Sequence, residues 1–371
     1  MKIGIITWNR YENYGTKLQA IALQNYLRRY GHNVQMIDFP VPSSQRPHKK
    51  KKILTRVYGR ISYEILKYAH KRYNSQLARK TLKMEQVINE QCIVTDPIKT
   101  DEDYVNICNQ FNLVICGSDH IWNPNWYHPY YYADFPEIKA KKISYAPSIG
   151  IREIPEEKKE LIGKSLKSFS LITVRENKAS ALLETIIGYK PQKVLDPTML
   201  LTKEQWINLF SLKIKKKQRY LLCYFLSDNR NHWTVVRKLA KEKNMSIRII
   251  AQTGFSYFYK GRKYMDAGVK EFLDLILNAD YILTDSFHGT VFSLLFEKEV
   301  YTFERFQDDQ FFSQNDRVRE LMDEFEISDH LLKYNTRRIT CVPPINYITV
   351  DHRLSQLREK SATILNNGIL K

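Results

Sequence analysis

Residues Lys2–Phe39, KIGIITWNRYENYGTKLQAIALQNYLRRYGHNVQMIDF, decide the fold. Lys2–Trp8 is a short β-branched run and reads as a buried strand. The polar turn Asn9–Gly15 follows. From Thr16 to Tyr30, Leu18, Ile21, Ala22 and Leu27 recur at helical spacing. Gly31 stands where a glycine ends a helix, and Val34–Phe39 is a second strand-like run. Strand, loop, helix and strand in that order form the unit of a parallel sheet, whose neighbours need a crossover connection.

Working outward, the alternation continues with strands at Leu113–Gly117, Lys142–Ser148 and Leu171–Arg175. A second series starts near Lys193. Its strands are Val194–Asp196, Tyr220–Leu226, Ile247–Gln252, Tyr281–Asp285 and a short Val300–Glu304. Its helices are Arg230–Glu242, Val269–Asn278 and Thr290–Phe296, and Val350–Asn366 reads as a final helix. At 371 residues the chain is too long for one ordinary core. The economical architecture is α/β: two parallel-sheet domains with a cleft between them. In such sheets ligands sit beyond the carboxyl ends of the strands, so the loops there are where chemistry is sought.

Hydrophobic residues make up 43% and charged residues 26%, which excludes general disorder. Five scattered cysteines without a CxxC pair argue against a disulfide framework or a structural zinc site. The opening MKIGIITWNR lacks the pattern of a signal peptide, and no run approaches the ~18 apolar residues of a membrane span. A cytoplasmic protein is expected.

The formal charge of +18 is concentrated. Ser43–Lys83 holds thirteen Lys or Arg, including the run Lys49–Lys52, against the single acid Glu64. Within a basic insert at about 43–92, Ile53, Val57, Ile61 and Ile65 recur every four residues beside Leu54, Tyr58 and Tyr68, giving a basic amphipathic helix. Such a helix packs on its own domain with a solvated cationic face, or lies on an anionic membrane surface. Nucleic acid is not expected, because no recognition module accompanies the charge.

Four loops carry candidate chemistry. In Tyr281–Phe296, YILTDSFHGTVFSLLF, a strand ends near Asp285 and a polar turn opens into an apolar helix. This puts His288 and the amides of Gly289, Thr290 and Val291 at a helix N-terminus, an anion site; Asp285 or Ser286 serves as its N-cap. Gly289 would let a ligand approach the backbone. An imidazole near pKa 6.5 suits proton transfer. The second loop, CGSDHIWNP at Cys116–Pro124, presents Ser118, Asp119 and His120. The third, YENYGT at Tyr11–Thr16, has too few glycines for a dinucleotide fingerprint or a P-loop. In the fourth, Arg175 of TVRE is either a salt-bridge partner or a cationic clamp. Asp308–Asp309 offers two acids without a third ligand, so no metal is expected.

Taken in order, NYGTKLQAIAL, GSDHIWNP, ISYAPSIG, ITVRENKAS, VLDPTMLL, TDSFHGTVFSLLF and NDRVRELMDEF resemble the polysaccharide pyruvyl transferase family, over roughly Asn13–Phe325. The resemblance implies two Rossmann-like domains in a GT-B-like arrangement. Residues 1–175 would form the acceptor side, 176–345 the donor side, and 346–371 a C-terminal helix. It further implies transfer of an enolpyruvyl-derived group from phosphoenolpyruvate to two sugar hydroxyls, as a ketal, in surface polysaccharide or capsule biosynthesis. No cofactor is implied. His288 would be the general acid, with Arg175, Ser286, Gly289, Thr290 and Arg317 binding the donor. Asp119 would face the acceptor hydroxyl, and Asn13, Gly15, Lys17, Ser118 and His120 would line the acceptor cleft. Some family members carry an arginine where Ser286 stands; here either Arg317 or Arg305 replaces it, or the donor differs. The acceptor would be a sugar or lipid-linked oligosaccharide met at the inner membrane face. A glycosyltransferase using a nucleotide sugar on the same architecture is the alternative, and a non-catalytic binding protein a third reading.

Overall fold

The computed structural model describes residues 1–39, 53–215, 219–308, 310, 313–340 and 342–370, with backbone alone for 53–62. Its first sheet contains β1 (Lys2–Ile6), β2 (Asn33–Met36), β3 (Leu113–Cys116), β4 (Lys141–Ser144) and β5 (Phe169–Leu171), in the spatial order β2-β1-β3-β4-β5. A two-stranded ladder of β6 (Thr173–Val174) and β7 (Gln192–Lys193) leads out of it. The second sheet contains β8 (Tyr220–Tyr224), β9 (Ser246–Ile250), β10 (Arg262–Tyr264), β11 (Tyr281–Thr284), β12 (Glu299–Phe303) and β13 (Leu331–Leu332). Their order is β10-β9-β8-β11-β12-β13, and the pairings in both sheets are parallel. Both orders reverse direction once, between β1 and β3 and between β8 and β11. Loops leaving the two strands at such a reversal diverge and open a crevice.

The first helix, Tyr14–Arg29, is buried over most of its circumference rather than along one stripe. The reason is its position between the domains: Tyr14 stacks on Phe272 of the second domain, centroids 4.4 Å apart, and donates its hydroxyl to the Ala267 carbonyl. One apolar cluster accordingly runs from Ile3 and Leu18 through Trp206 to Phe272, Phe292 and Leu365.

Several expected boundaries shift. The expected strand Val194–Asp196 is a crossing segment, and pairing occurs instead at Gln192–Lys193. Leu171–Arg175 divides at Ile172 into β5 and β6. The helix Asn177–Ile187 contributes Ala179 and Leu183 to the core beneath the first sheet, so the first domain extends beyond residue 175. The C-terminal helix, Tyr347–Leu370, is longer than expected and returns to the first domain, where the Gly368 carbonyl accepts from Lys141 Nζ at 2.6 Å.

The basic insert forms a helical hairpin, Ile53–Arg72 and Asn74–Gln91. It packs on both domains: Met84, Val87 and Ile88 of the second helix join the core with Leu18 and Leu23 of the first domain, while Ala69 is buried against Ala251 and Tyr257 of the second, with Leu66, Tyr73 and Leu77 beside them. Arg79 pairs with Asp266 and Lys83 with Glu271 across the same contact. The run Lys49–Lys52 and the side chains of Ile53, Val57 and Ile61 lie outside the described residues. No described helix is long and apolar enough to cross a membrane.

Candidate functional site

The loops of the two switch points meet directly. A Cβ built on Gly15, from the loop and helix after β1, would lie 1.9 Å from Nδ1 of His288, which follows β11. Only the absence of a side chain at Gly15 lets the two domains approach so closely there.

Arg175, immediately after β6, is the hub of the site and only 4% exposed. Its Nη1 donates to Asp196 Oδ2 at 2.7 Å; Nη2 lies 3.8 Å from Asp119 Oδ1 and Nε 3.9 Å from Glu176 Oε2. Nε and Nη2 are buried without a hydrogen-bond partner. Asp196 Oδ1 accepts from the amide and hydroxyl of Thr198 at 3.0 and 2.7 Å, and Oδ2 also lies 3.4 Å from His288 Nε2, too long for a well-directed hydrogen bond. Burial alone would raise the Asp196 carboxyl, but His288 and Arg175 reverse this and hold it well below the usual range. Burial likewise opposes the Arg175 charge, which Asp196 and Asp119 restore.

Two further arginines converge here. Arg305, after β12, donates through Nε and Nη2 to the Asp285 carbonyl at 3.3 and 2.9 Å, beside the turn that carries Ser286. Arg317 and Arg175 both lie over the Phe287 ring, 5.6 and 5.0 Å from its centroid, and Arg317 Nε is buried without a partner. The Arg317 guanidinium is pushed down to about 9, by burial first and then by Arg175, so it is still cationic at neutral pH.

On the first-domain side, His120 Nδ1 lies 3.2 Å from Ser148 Oγ, which donates to Glu176 Oε1 at 2.8 Å. Burial first, then Arg317 and Arg175, push the His120 imidazole well below its ordinary value. Trp8 packs against Tyr11, Trp126 and His120, ring centroids 5.0, 5.5 and 6.4 Å away, and forms an aromatic wall beside them.

The structure sorts the expected site residues into two groups. His288, Arg175, Arg317, Asp119, His120 and Gly15 converge. Asp119, however, does not stand open to an acceptor: Oδ2 accepts from Thr16 Oγ1 at 2.6 Å while Oδ1 faces Arg175. Asn13 is the N-cap of the first helix, its side chain accepting from the amides of Gly15 and Thr16. Lys17 is buried and donates to the Asn9 carbonyl at 2.5 Å, its ammonium pushed down to about 8 by burial. Ser118 is fully buried and bonds the Ala146 carbonyl at 2.8 Å.

The helix after β11 begins at Phe287, three residues earlier than expected, so the amides expected to be free at Gly289 and Thr290 are satisfied. Ser286 is the N-cap and accepts from Gly289; its carbonyl accepts from Thr290. Thr290 turns inward to Thr302, 2.8 Å between hydroxyls. Gly289 is needed for packing, since a Cβ there would meet Thr284 Oγ1 at 2.5 Å. Asp308 pairs with Arg152 and Arg319, Asp309 lies outside the described residues, and no cluster suited to a metal occurs among the described residues.

Asp196, Glu176 and Ser148 were not singled out from the sequence. Each lies in a stretch whose order carried the resemblance, VLDPTMLL, ITVRENKAS and ISYAPSIG, which is the signal that could have found them.

The model of the family described as Polysaccharide pyruvyl transferase matches residues 13–305. No curated protein matches the sequence. Among solved structures, the chain is similar to UDP-GlcNAc 2-epimerase from Neisseria meningitidis bound to UDP-GlcNAc, at 11% identity and TM-score 0.51, covering 99% of this chain and 94% of that one. UDP-GlcNAc 2-epimerase from Methanocaldococcus jannaschii is similar at 11% identity and TM-score 0.50, covering 96% and 92%. The glycosyltransferase SnogD from Streptomyces nogalater aligns at 10% identity and TM-score 0.48, covering 100% and 99%. At these identities the likeness is one of fold, a GT-B-like pair of Rossmann-like domains.

Proposed function

The chain belongs to the polysaccharide pyruvyl transferase family, a family of transferases, and from that premise we propose that it forms a pyruvyl ketal on a surface-polysaccharide sugar with phosphoenolpyruvate as donor. The observation that carries the reading is the arginine cluster. Arg175 and Arg317 hold buried, unpartnered guanidinium N–H groups beside His288, with Arg305 next to them. Phosphoenolpyruvate has a phosphate and a carboxylate, and guanidinium groups bind both through paired, charge-assisted hydrogen bonds. Orphaned donors of this kind are costly in an empty site and satisfied by an oxyanion.

In this reading His288 protonates the donor's methylene carbon, C3, leaving C2 electron-poor and open to a sugar hydroxyl. Asp196 orients the imidazole and balances Arg175. Arg305 fills the place next to Ser286 that an arginine occupies in some relatives. The wall of Trp8, Tyr11 and Trp126 offers flat apolar faces on which a pyranose ring can stack. A lipid-linked acceptor would be met at an anionic membrane surface through the basic insert.

The test is a thermal-shift panel with phosphoenolpyruvate, UDP-, GDP- and CMP-sugars, and inorganic phosphate. At about 100 times its dissociation constant, a bound ligand adds about 2.7 kcal/mol. Stabilisation by phosphoenolpyruvate, abolished in Arg175→Ala, is expected. Stabilisation by a nucleotide sugar alone would replace this reading with a glycosyltransferase.

A further inference from the structure

We infer that His120 is the general base that accepts the proton of the attacking sugar hydroxyl, held in the required tautomer by Ser148 and Glu176. The inference rests on the function proposed above and assigns the base of that same site.

The tautomer follows from counting protons. Glu176 Oε1 accepts from the Ile149 amide at 3.1 Å and from Ser148 Oγ at 2.8 Å. The one hydroxyl proton of Ser148 is therefore committed to Glu176. Across the 3.2 Å contact with His120, Ser148 Oγ can only accept, so the network assigns the ring proton to Nδ1. Nε2, on the opposite side of the ring, is left with its lone pair. The ring is also held by shape: Gly150 has φ +63°, and a Cβ there would lie 2.3 Å from His120 Nδ1. The Ser148 amide donates to the Asp119 carbonyl at 2.7 Å, which ties the loop after β4 to the loop carrying His120.

His120 suits this task better than its neighbour. Asp119 is bonded to Thr16 and faces Arg175, so its carboxylate is stabilised as it stands. His120 is neutral, partly exposed and next to the aromatic wall. The groups facing it are Ser148, Glu176 through Ser148, and the cations Arg317, Arg175 and Arg305 together with His288. Those cations oppose a second positive charge on the ring. A bound phosphate and carboxylate would offset them, so His120 becomes an effective base when the donor is in place. Donor binding thereby precedes acceptor activation.

The protons balance over the cycle. His288 gives its proton to C3. The first hydroxyl oxygen bonds to C2 and its proton passes to His120 Nε2. The C2–O bond to phosphate then breaks, and that proton leaves on the phosphate as hydrogenphosphate. The second hydroxyl oxygen bonds to C2, and its proton returns to His288. Both imidazoles end as they began, and the product is a ketal carrying one carboxylate.

Phosphate release from phosphoenolpyruvate, with a panel of p-nitrophenyl hexopyranosides as acceptors, tests the assignment in wild type, His120→Gln and Ser148→Ala. His120→Gln is expected to lower kcat by about 10²–10⁴-fold while the KM for phosphoenolpyruvate stays within about threefold. Ser148→Ala, acting through the ring's orientation, is expected to lower kcat with the same unchanged donor KM. A fully active His120→Gln enzyme would overturn the base assignment alone. So would a variant whose loss lies in donor KM, since His120 would then be a donor-binding group. A wild-type protein that neither binds phosphoenolpyruvate in the thermal-shift panel nor releases phosphate would instead defeat the parent reading.

Discussion

Gly15 and His288 belong to different domains, yet a single methyl group on Gly15 would fall 1.9 Å from the His288 ring. The contact couples the N-terminus of the first helix to the proposed acid, and the intrinsic backbone preference of glycine has no part in it. Gly15→Ala is expected to displace one partner by more than an ångström. Overpacking of this kind costs about 1–3 kcal/mol. Because the site is assembled across the contact, kcat should fall by about 100-fold or more, the loss expected for a misplacement of about 1 Å. Near-normal kcat in Gly15→Ala would show that His288 moves freely of the first domain.

Asp196 sits under both Arg175 and His288. Asp196→Asn keeps the shape and removes the charge, leaving a buried guanidinium without its anion. Breaking a buried pair in this way costs about 3–5 kcal/mol. The carboxyl's folded pKa lies below its unfolded value of 3.8, so its stabilisation is complete above that value and is lost as pH falls towards the folded one. Denaturant titrations of the two proteins should therefore differ by a constant amount near neutrality, with the gap starting to narrow as pH falls below about 4. A gap that stays constant as pH falls from neutrality to about 2, with no narrowing below about 4, would mean the loss is one of packing.

Much of this arrangement was legible in the sequence, and the exceptions have physical causes. Continuous apolar runs located the five strands of the first sheet and the four central strands of the second, because parallel strands buried on two faces are continuous and β-branched, whereas the short edge strands β10 and β13 carry no such run. Helix starts were misplaced where a polar side chain caps earlier than the apolar pattern begins, as Asn13 and Ser286 do. The convergence of Arg175 with Asp196, 21 residues apart, and with His288 depends on a crossover and a domain interface, and no spacing rule reports either. The insert's second contact was missed for the same reason: periodicity shows an apolar face, the own-domain packing of Met84 and Val87 fits it, and the further surface that receives Ala69 and Tyr73 is built nearly 200 residues later.

His232 offers a test of electrostatics away from the chemistry. It is fully buried between Phe225 and Phe303, and both ring nitrogens lack partners. Burial pushes its imidazole down to about 4 from 6.5. Between those values the unfolded chain binds a proton that the folded chain refuses, so stability falls as pH drops through that window, by up to about 3 kcal/mol. His232→Phe removes the titrating group and should flatten the stability profile between pH 6.5 and 4 while leaving stability at pH 8 little changed. An unchanged acid limb would show that His232 is already protonated or hydrated in the fold.

In the proposed function, Trp8 would separate recognition of the acceptor from recognition of the donor. It lies in the loop after β1, packs on Tyr11 and Trp126, and approaches His120, while Arg175 and Arg317 gather around Phe287. A sugar stacked on this wall would present a hydroxyl towards His120 Nε2, whereas an anionic donor gains nothing from an indole face. Aromatic stacking contributes about 0.5–1.5 kcal/mol beyond area burial, so Trp8→Ala should raise acceptor KM by about tenfold. The donor KM and the phosphoenolpyruvate-dependent thermal shift should remain as in wild type. If donor KM rises instead, the aromatic wall belongs to the donor pocket and the acceptor must enter from the side of the basic hairpin, where Tyr68 and Phe258 meet.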